Sequence, residues 1–112
     1  MKLVTAVVQP QKLTDVQIAL VRHGIQGMTV SEVSGYARQH GHKEVYRGEE
    51  MTIDFVLKVR IEVLCADEDA AEIVGMIAAS GRTGEIGDGK IWVTTIDQVV
   101  RIRTGERDAE AV

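Results

Sequence analysis

Val56-Leu57-Lys58-Val59-Arg60-Ile61-Glu62-Val63-Leu64 alternates residue by residue. Val59, Ile61 and Val63 face one way while Lys58, Arg60 and Glu62 face the other, the pattern of a half-buried β-strand. Working outward, Asp67-Glu68-Asp69 caps a following helix and suits its dipole. Ile73, Val74 and Ile77 give that helix a core face, and Gly81 ends it. Residues 91–95 read as the next strand and 98–103 as a short further one. Toward the N-terminus, residues 2–9 are apolar and β-branched, a buried strand. Thr14-Asp15-Val16-Gln17 has capping-box spacing, with Leu13 and Ile18 placed as a staple. Leu13, Val16 and Leu20 line one face of that first helix, and Gly24 is its stop. A second strand follows Gly27-Met28, at about 29–36. The order βαββαβ plus a tail predicts an α+β fold. Its antiparallel sheet carries two helices on one side, a ferredoxin-like arrangement.

One connection breaks the pattern. Strands two and three should form a hairpin, yet residues 37–54 separate them, beyond the ~12–15 residues at which structureless loops become uncommon and usually functional. Arg38, His40, His42, Lys43, Glu44, Arg47, Glu49 and Glu50 make this stretch too charged for a core. It reads as a long mobile loop that contacts something.

Composition narrows the class. A chain of 112 residues is expected to form one domain. A net charge of −4 argues against a general nucleic-acid binder, whose footprint is basic. The lone Cys65 excludes an internal disulfide framework and fits a reducing compartment. No leader-like segment is evident, and no apolar run approaches the ~20 residues that span a bilayer. A cytoplasmic protein is the simplest expectation.

The chemistry concentrates in Thr83-Gly84-Glu85-Ile86-Gly87-Asp88-Gly89-Lys90-Ile91-Trp92-Val93, followed by Arg101-Ile102-Arg103. Closely spaced glycines leave backbone amides able to approach a ligand, and Thr83, Asp88 and Lys90 supply directional contacts. Arg101 and Arg103, spaced by two on a strand, would project from one face as a phosphate clamp. Residues 84–90 formally match the G-x4-G-K of a P-loop. However, residue 91 is isoleucine, without the hydroxyl that holds magnesium, and the run leads from helix to strand, the reverse of a P-loop. A tight αβ connection is the plain alternative for the glycines. An enzyme using ATP as phosphate donor is disfavoured, because no nucleophile and base form a recognisable pair around the run.

The run Thr83-x-x-x-Gly87-Asp88-Gly89-Lys90-Ile91-Trp92-Val93-x-x-Ile96, with Arg101-Ile102-Arg103-Thr104-Gly105-Glu106, resembles the C-terminal signature of the PII signal-transduction family. The similarity runs from Met1 to about Arg107, through Gly27-Met28-Thr29-Val30, Gly35-Tyr36, Arg38-Gln39, Gly41-His42 and Tyr46-Arg47-Gly48. The resemblance implies a homotrimer of ferredoxin-like subunits that binds ATP or ADP in the clefts between subunits. Such a protein is a sensor, not an enzyme, and regulates nitrogen metabolism. It implies a T-loop at about 37–54 that docks onto partners, a nucleotide loop at about 82–90 and a tail at 104–112. Gly87, Asp88, Gly89 and Lys90 would cradle the phosphates, with Arg101 and Arg103 contributed from an adjacent subunit. Thr29, Gly35, Glu62 and Thr83 would shape the adenosine pocket, and Arg38 would approach the phosphates. Gln39 would help coordinate a magnesium ion bridging ATP to 2-oxoglutarate, and Lys58 would pair with a 2-oxoglutarate carboxylate. Without the motif, Arg38 or Lys58 reads as a solvated surface charge. Arg47 matches the arginine that enters ammonium channels of the Amt type, so a membrane transporter is the expected partner, recruiting the protein to the membrane.

The sequence also departs from the family. Met51 stands where many bacterial members carry a uridylylated tyrosine, so that modification cannot occur there, and Tyr46 is a packing or contact residue. Ala37 replaces a usual glycine, His40 a usual lysine, Gln9 a lysine, Gln11 a phenylalanine and Glu85 a lysine. A histidine of pKa about 6.5 is mostly neutral at pH 7 and weakens an anion contact. These changes touch the second ligand more than the nucleotide and leave bicarbonate or another small anion as an alternative. His40 and His42 lack a third ligand for a metal.

Overall fold

The computed structural model describes residues 1–36 and 55–112, together with the backbone of 42–46 and 49–53. Among the described residues, six strands and two α-helices follow one another as β1 (Lys2–Val8), α1 (Leu13–Arg22), β2 (Thr29–Tyr36), β3 (His42–Tyr46), β4 (Glu49–Ile53), β5 (Phe55–Cys65), α2 (Ala70–Gly81) and β6 (Lys90–Thr95). β2, β5, β1 and β6 lie in that order in one antiparallel sheet, which is the ferredoxin-like α+β arrangement.

The alternation of β5 is decisive. Its register with β1 sets Val59 opposite Val8, Ile61 opposite Ala6 and Val63 opposite Val4. These residues share a face and pack with Val16 and Leu20 of α1 and Ala70, Ile73 and Ile77 of α2. Both helices therefore cover one side of the sheet. Lys58, Arg60 and Glu62 lie on the other side, with Thr5 opposite Glu62 and between it and Trp92.

Five details differ from the sequence expectation. α1 does not begin on a capping box: Pro10 opens a 3-10 turn, Pro10–Lys12, that runs straight into Leu13, and no side chain caps the helix. Proline suits such an entry because its missing N–H has no partner there anyway. Ile18 is 45% exposed while Leu13 packs on the core, so the two do not act as a buried staple. Likewise Asp67–Asp69 form a 3-10 turn rather than a side-chain cap of α2. The Asp67 carboxylate instead takes the Met1 amine at 2.6 Å, and that hydrogen bond, with the amine's charge, holds Asp67 below the ordinary carboxylate range.

Residues 98–103 are not a strand. Only an isolated bridge, Val100 to Arg107, survives, because the chain turns at 102–104. Within 37–54, β3 and β4 pair as an antiparallel ribbon, His42 opposite Ile53 and Tyr46 opposite Glu49. Charged composition keeps a segment from a core, but a ribbon can still satisfy its own backbone groups. The helix stops do match: Gly24, at φ 98°, donates to Val21 C=O and Ile25 to Leu20 C=O, both at 3.0 Å, a Schellman closure of α1.

Ile61→Ala should lower the unfolding free energy by about 2–5 kcal/mol, as core truncations do. Ile18→Ala on the exposed face of α1 should change it by less than about 0.5 kcal/mol. Urea denaturation of both variants checks the assignment of faces.

Candidate functional site

The loop joining α2 to β6 is organised by one carboxylate. Asp88 accepts the N–H of Thr83 and that of Gly84, each at 2.9 Å, and the Thr83 hydroxyl. Gln9, just past β1, adds Nε2 at 3.4 Å and receives a hydrogen bond from Gln11. The Thr83 hydroxyl first, then the two backbone N–H groups, hold Asp88 below the ordinary carboxylate range. The Thr83 oxygen also accepts the Glu85 N–H at 3.2 Å. Asp88 and Thr83 thus bind the loop to itself.

Gly89 shows why this loop needs a glycine for packing as well as for access. At φ 98° it lies against β1, and a Cβ there would fall 1.7 Å from the Val7 carbonyl oxygen. No shift of a flexible side chain relieves a clash with backbone.

Lys58 is not a solvated surface charge. It is only 7% exposed, and its ammonium donates to the Gly87 carbonyl, tying β5 to the glycine-rich loop. Around it lies a cleft of about 470 Å³ lined by Gly35, Gly87, Asp88, Gly89, Lys90 and Trp92. Among the described residues no carboxylate pairs with Lys58. An ammonium carries three donors, and removing it from water costs several kcal/mol unless it is well partnered. This corner is suited to an anion.

A second cleft, of about 870 Å³, gathers Thr29, Glu62 and Arg101. Thr29 and Glu62 are cross-strand partners on β2 and β5. Arg60 Nε lies 3.6 Å from Glu62, and Arg101 donates to Glu106 at 3.2 Å. Arg103 stands exposed in the turn and lines neither cleft, so Arg101 and Arg103 do not form a same-face strand pair. Thr83 also lies off both linings. Arg38, Gln39, His40 and Arg47 fall outside the described residues, as does Ala37.

Trp92, which belongs to the glycine-rich motif itself, and the C-terminal tail also contribute to the clefts. Trp92 reaches the smaller cleft because strand alternation turns it away from Ile91, a signal present in the sequence. Ala109, Ala111 and Val112 line the larger cleft, and no periodicity in a short tail announces that.

The family model described as Nitrogen regulatory protein P-II matches residues 1–106. This chain belongs to the P-II family. It is 54% identical over 112 residues to the nitrogen regulatory protein P-II of Microchaete diplosiphon, covering 100% of both chains. It is 54% identical to that of Rhizobium etli over the same full coverage. With the nitrogen regulatory protein GlnK of Escherichia coli (strain K12), identity is 50%, again over 100% of both. The P-II chain is accordingly a nitrogen-regulatory signal-transduction protein. Among the described residues of this P-II protein, no helix is long and apolar enough to cross a membrane.

The depressed Asp88 has a definite pH signature. Its contribution is complete above the ordinary carboxylate value of 3.8 and is lost only as pH falls through the lower folded-state value. Amide exchange at Thr83 and Gly84 should therefore stay equally protected, after correction for intrinsic rates, over about pH 5 to 8. Asp88→Ala should remove that protection throughout the range, which exchange measured by NMR checks.

Proposed function

We propose that this P-II protein senses adenine nucleotides, ATP against ADP, and passes their state to a partner through the loop at 37–54. The observation that carries the reading is the buried Lys58 beside the glycine-rich loop, with no carboxylate paired to it among the described residues, a receptor for negative charge. Gly87, Gly89 and Lys90 border that cleft and suit phosphate oxygens. Thr29 and Glu62 offer a hydroxyl and a carboxylate to a nucleoside, with Arg101 near.

Thr29 and Gly35 lie six residues apart on β2, about 20 Å at the rise of a strand. A nucleotide meeting both sets of residues would draw them from two copies, which supports a shared site and a homotrimer. Gln39 would hold magnesium with ATP, and magnesium would supply charge neutralisation at the phosphates. Lys58 would then receive a carboxylate of 2-oxoglutarate. Arg38 would add a contact to the phosphates and Arg47 would reach an Amt-type ammonium transporter, the protein otherwise residing in the cytoplasm. A ligand moves such a loop only through its differential affinity for the loop's arrangements.

One observation favours a second reading of the anion. Gln9, at a position where a lysine is usual, is neutral and engaged with Asp88 and Gln11. A smaller anion such as bicarbonate needs fewer cations than a dicarboxylate, and a bicarbonate sensor controlling carbon uptake fits that change.

Calorimetry should show ATP and ADP competing for one site per chain, with magnesium–ATP binding enhanced by 2-oxoglutarate or, on the second reading, by bicarbonate. Lys58→Met should weaken the second anion about 10- to 100-fold, the range for losing a hydrogen bond to a charged group. Trp92, the chain's single tryptophan, offers an independent fluorescence reading from the same cleft. Absence of any nucleotide binding would remove the proposal.

A further inference from the structure

The end of β1 reaches the glycine-rich loop through Gln9-Pro10-Gln11. A residue before proline is pushed toward extended backbone, and Gln9 takes φ −68° and ψ 141°. Pro10 then opens the 3-10 turn, within which Gln11 Nε2 donates to Gln9 Oε1. Gln9 Nε2 in turn donates to Asp88 Oδ1 at 3.4 Å. The direction of this relay follows from chemistry. An ionised carboxylate only accepts, so Gln9 must present its NH2 to Asp88 and leave its carbonyl oxygen for a donor, which Gln11 supplies. Gln9 is half-buried and belongs neither to the hydrophobic core nor to the lining of the two clefts, so it reaches the site only through Asp88.

We propose that Gln9 is the positioning residue of this loop and that, by holding Asp88 without neutralising it, Gln9 keeps the preference for a nucleoside triphosphate over a diphosphate smaller than a charged donor would. The inference rests on reading the smaller cleft as the phosphate half-site. Among the described residues, its lining carries Lys58 and Lys90 against Glu85 and Asp88, so the formal charges cancel. A third phosphate adds negative charge that such a lining neither attracts nor repels at long range. An amide is a donor without charge and preserves that balance, whereas Gln9→Lys would leave one positive charge in excess. Geometry and charge are therefore separable at this position. The donor steadies the carboxylate that gathers Thr83 and Gly84, and the neutrality of the donor sets the preference.

The test titrates ATP and ADP, without added magnesium and at low and high ionic strength, into the full chain, Gln9→Lys, Gln9→Met and Gln11→Ala, with circular dichroism checking the fold. Gln9→Met keeps the charge and removes the donor. Amide exchange at Thr83 and Gly84 should quicken, and ATP and ADP should weaken alike, about 2- to 10-fold, the range for one hydrogen bond. Gln11→Ala should move both readouts the same way by less. Gln9→Lys keeps a donor and adds a charge, so exchange should stay slow. Its ATP-to-ADP preference should rise about two- to fivefold at low salt and fall back toward that of the unaltered chain at high salt. Unchanged exchange and affinities in Gln9→Met would overturn the positioning role. A preference that Gln9→Lys leaves unmoved, or moves equally at high salt, would overturn the charge role, since a general structural effect is not screened. Failure of the unaltered chain to bind either nucleotide would overturn the nucleotide reading and the preference with it, and exchange in Gln9→Met would still decide whether Gln9 holds the loop.

Discussion

β1 is hydrogen-bonded along both edges, with Val4 opposite Val63 on β5 and Val93 on β6, and this double register places nearly everything else. A slip of one residue would turn Val4, Ala6 and Val8 out of the core and bring Thr5 and Val7 in. The same slip would move Val7, whose carbonyl the Gly89 backbone approaches. Core, loop seat and polar face therefore depend on one pairing. The long β5 carries its alternation through that pairing, so a single strand both seals the helices and presents Lys58 and Glu62 on the far side.

The glycine-rich loop is held from two directions. Asp88 gathers Thr83 and Gly84 from within, and Lys58 reaches up from the sheet to Gly87. The two contacts differ in kind. The carboxylate is satisfied by several donors from its own loop, whereas the ammonium has, among the described residues, one carbonyl partner for its three donors. Under the proposed reading, a ligand entering the cleft would meet a loop already held in place and a buried cation, so little of its binding energy would go to ordering the receptor.

Much of this was legible from residues. The alternation from Val56 to Leu64 predicts β5 and its faces, and Ile73 and Ile77 predict the buried side of α2. Gly24 marks a helix end because a positive φ is needed there, whereas Gly81 closes α2 as a buried residue packed against Val8 and Val16. Helix starts were less legible. Thr14 has cap spacing, but Pro10 opens the turn earlier, and Asp67 prefers a distant ammonium to its own helix. The burial of Lys58 was invisible for a similar reason. Alternation assigns a face, and only tertiary structure decides whether that face is covered. Residues 98–103 were misread because Val99 and Val100 look β-forming, while the chain reversal that follows involves a φ of 55° at Asp108 that composition does not reveal.

Lys58 and Glu62 lie on one strand yet border different clefts. Under the shared-site reading, each copy of the chain lends one cleft to the neighbour on one side and the other cleft to the neighbour on the other. Damage then has a direction. A copy injured at Lys58 and a copy injured at Glu62, placed side by side, concentrate both injuries in one junction and leave the opposite junction whole. Mixed assemblies of two inactive copies would thus regain working sites, the molecular basis of complementation between alleles of one gene.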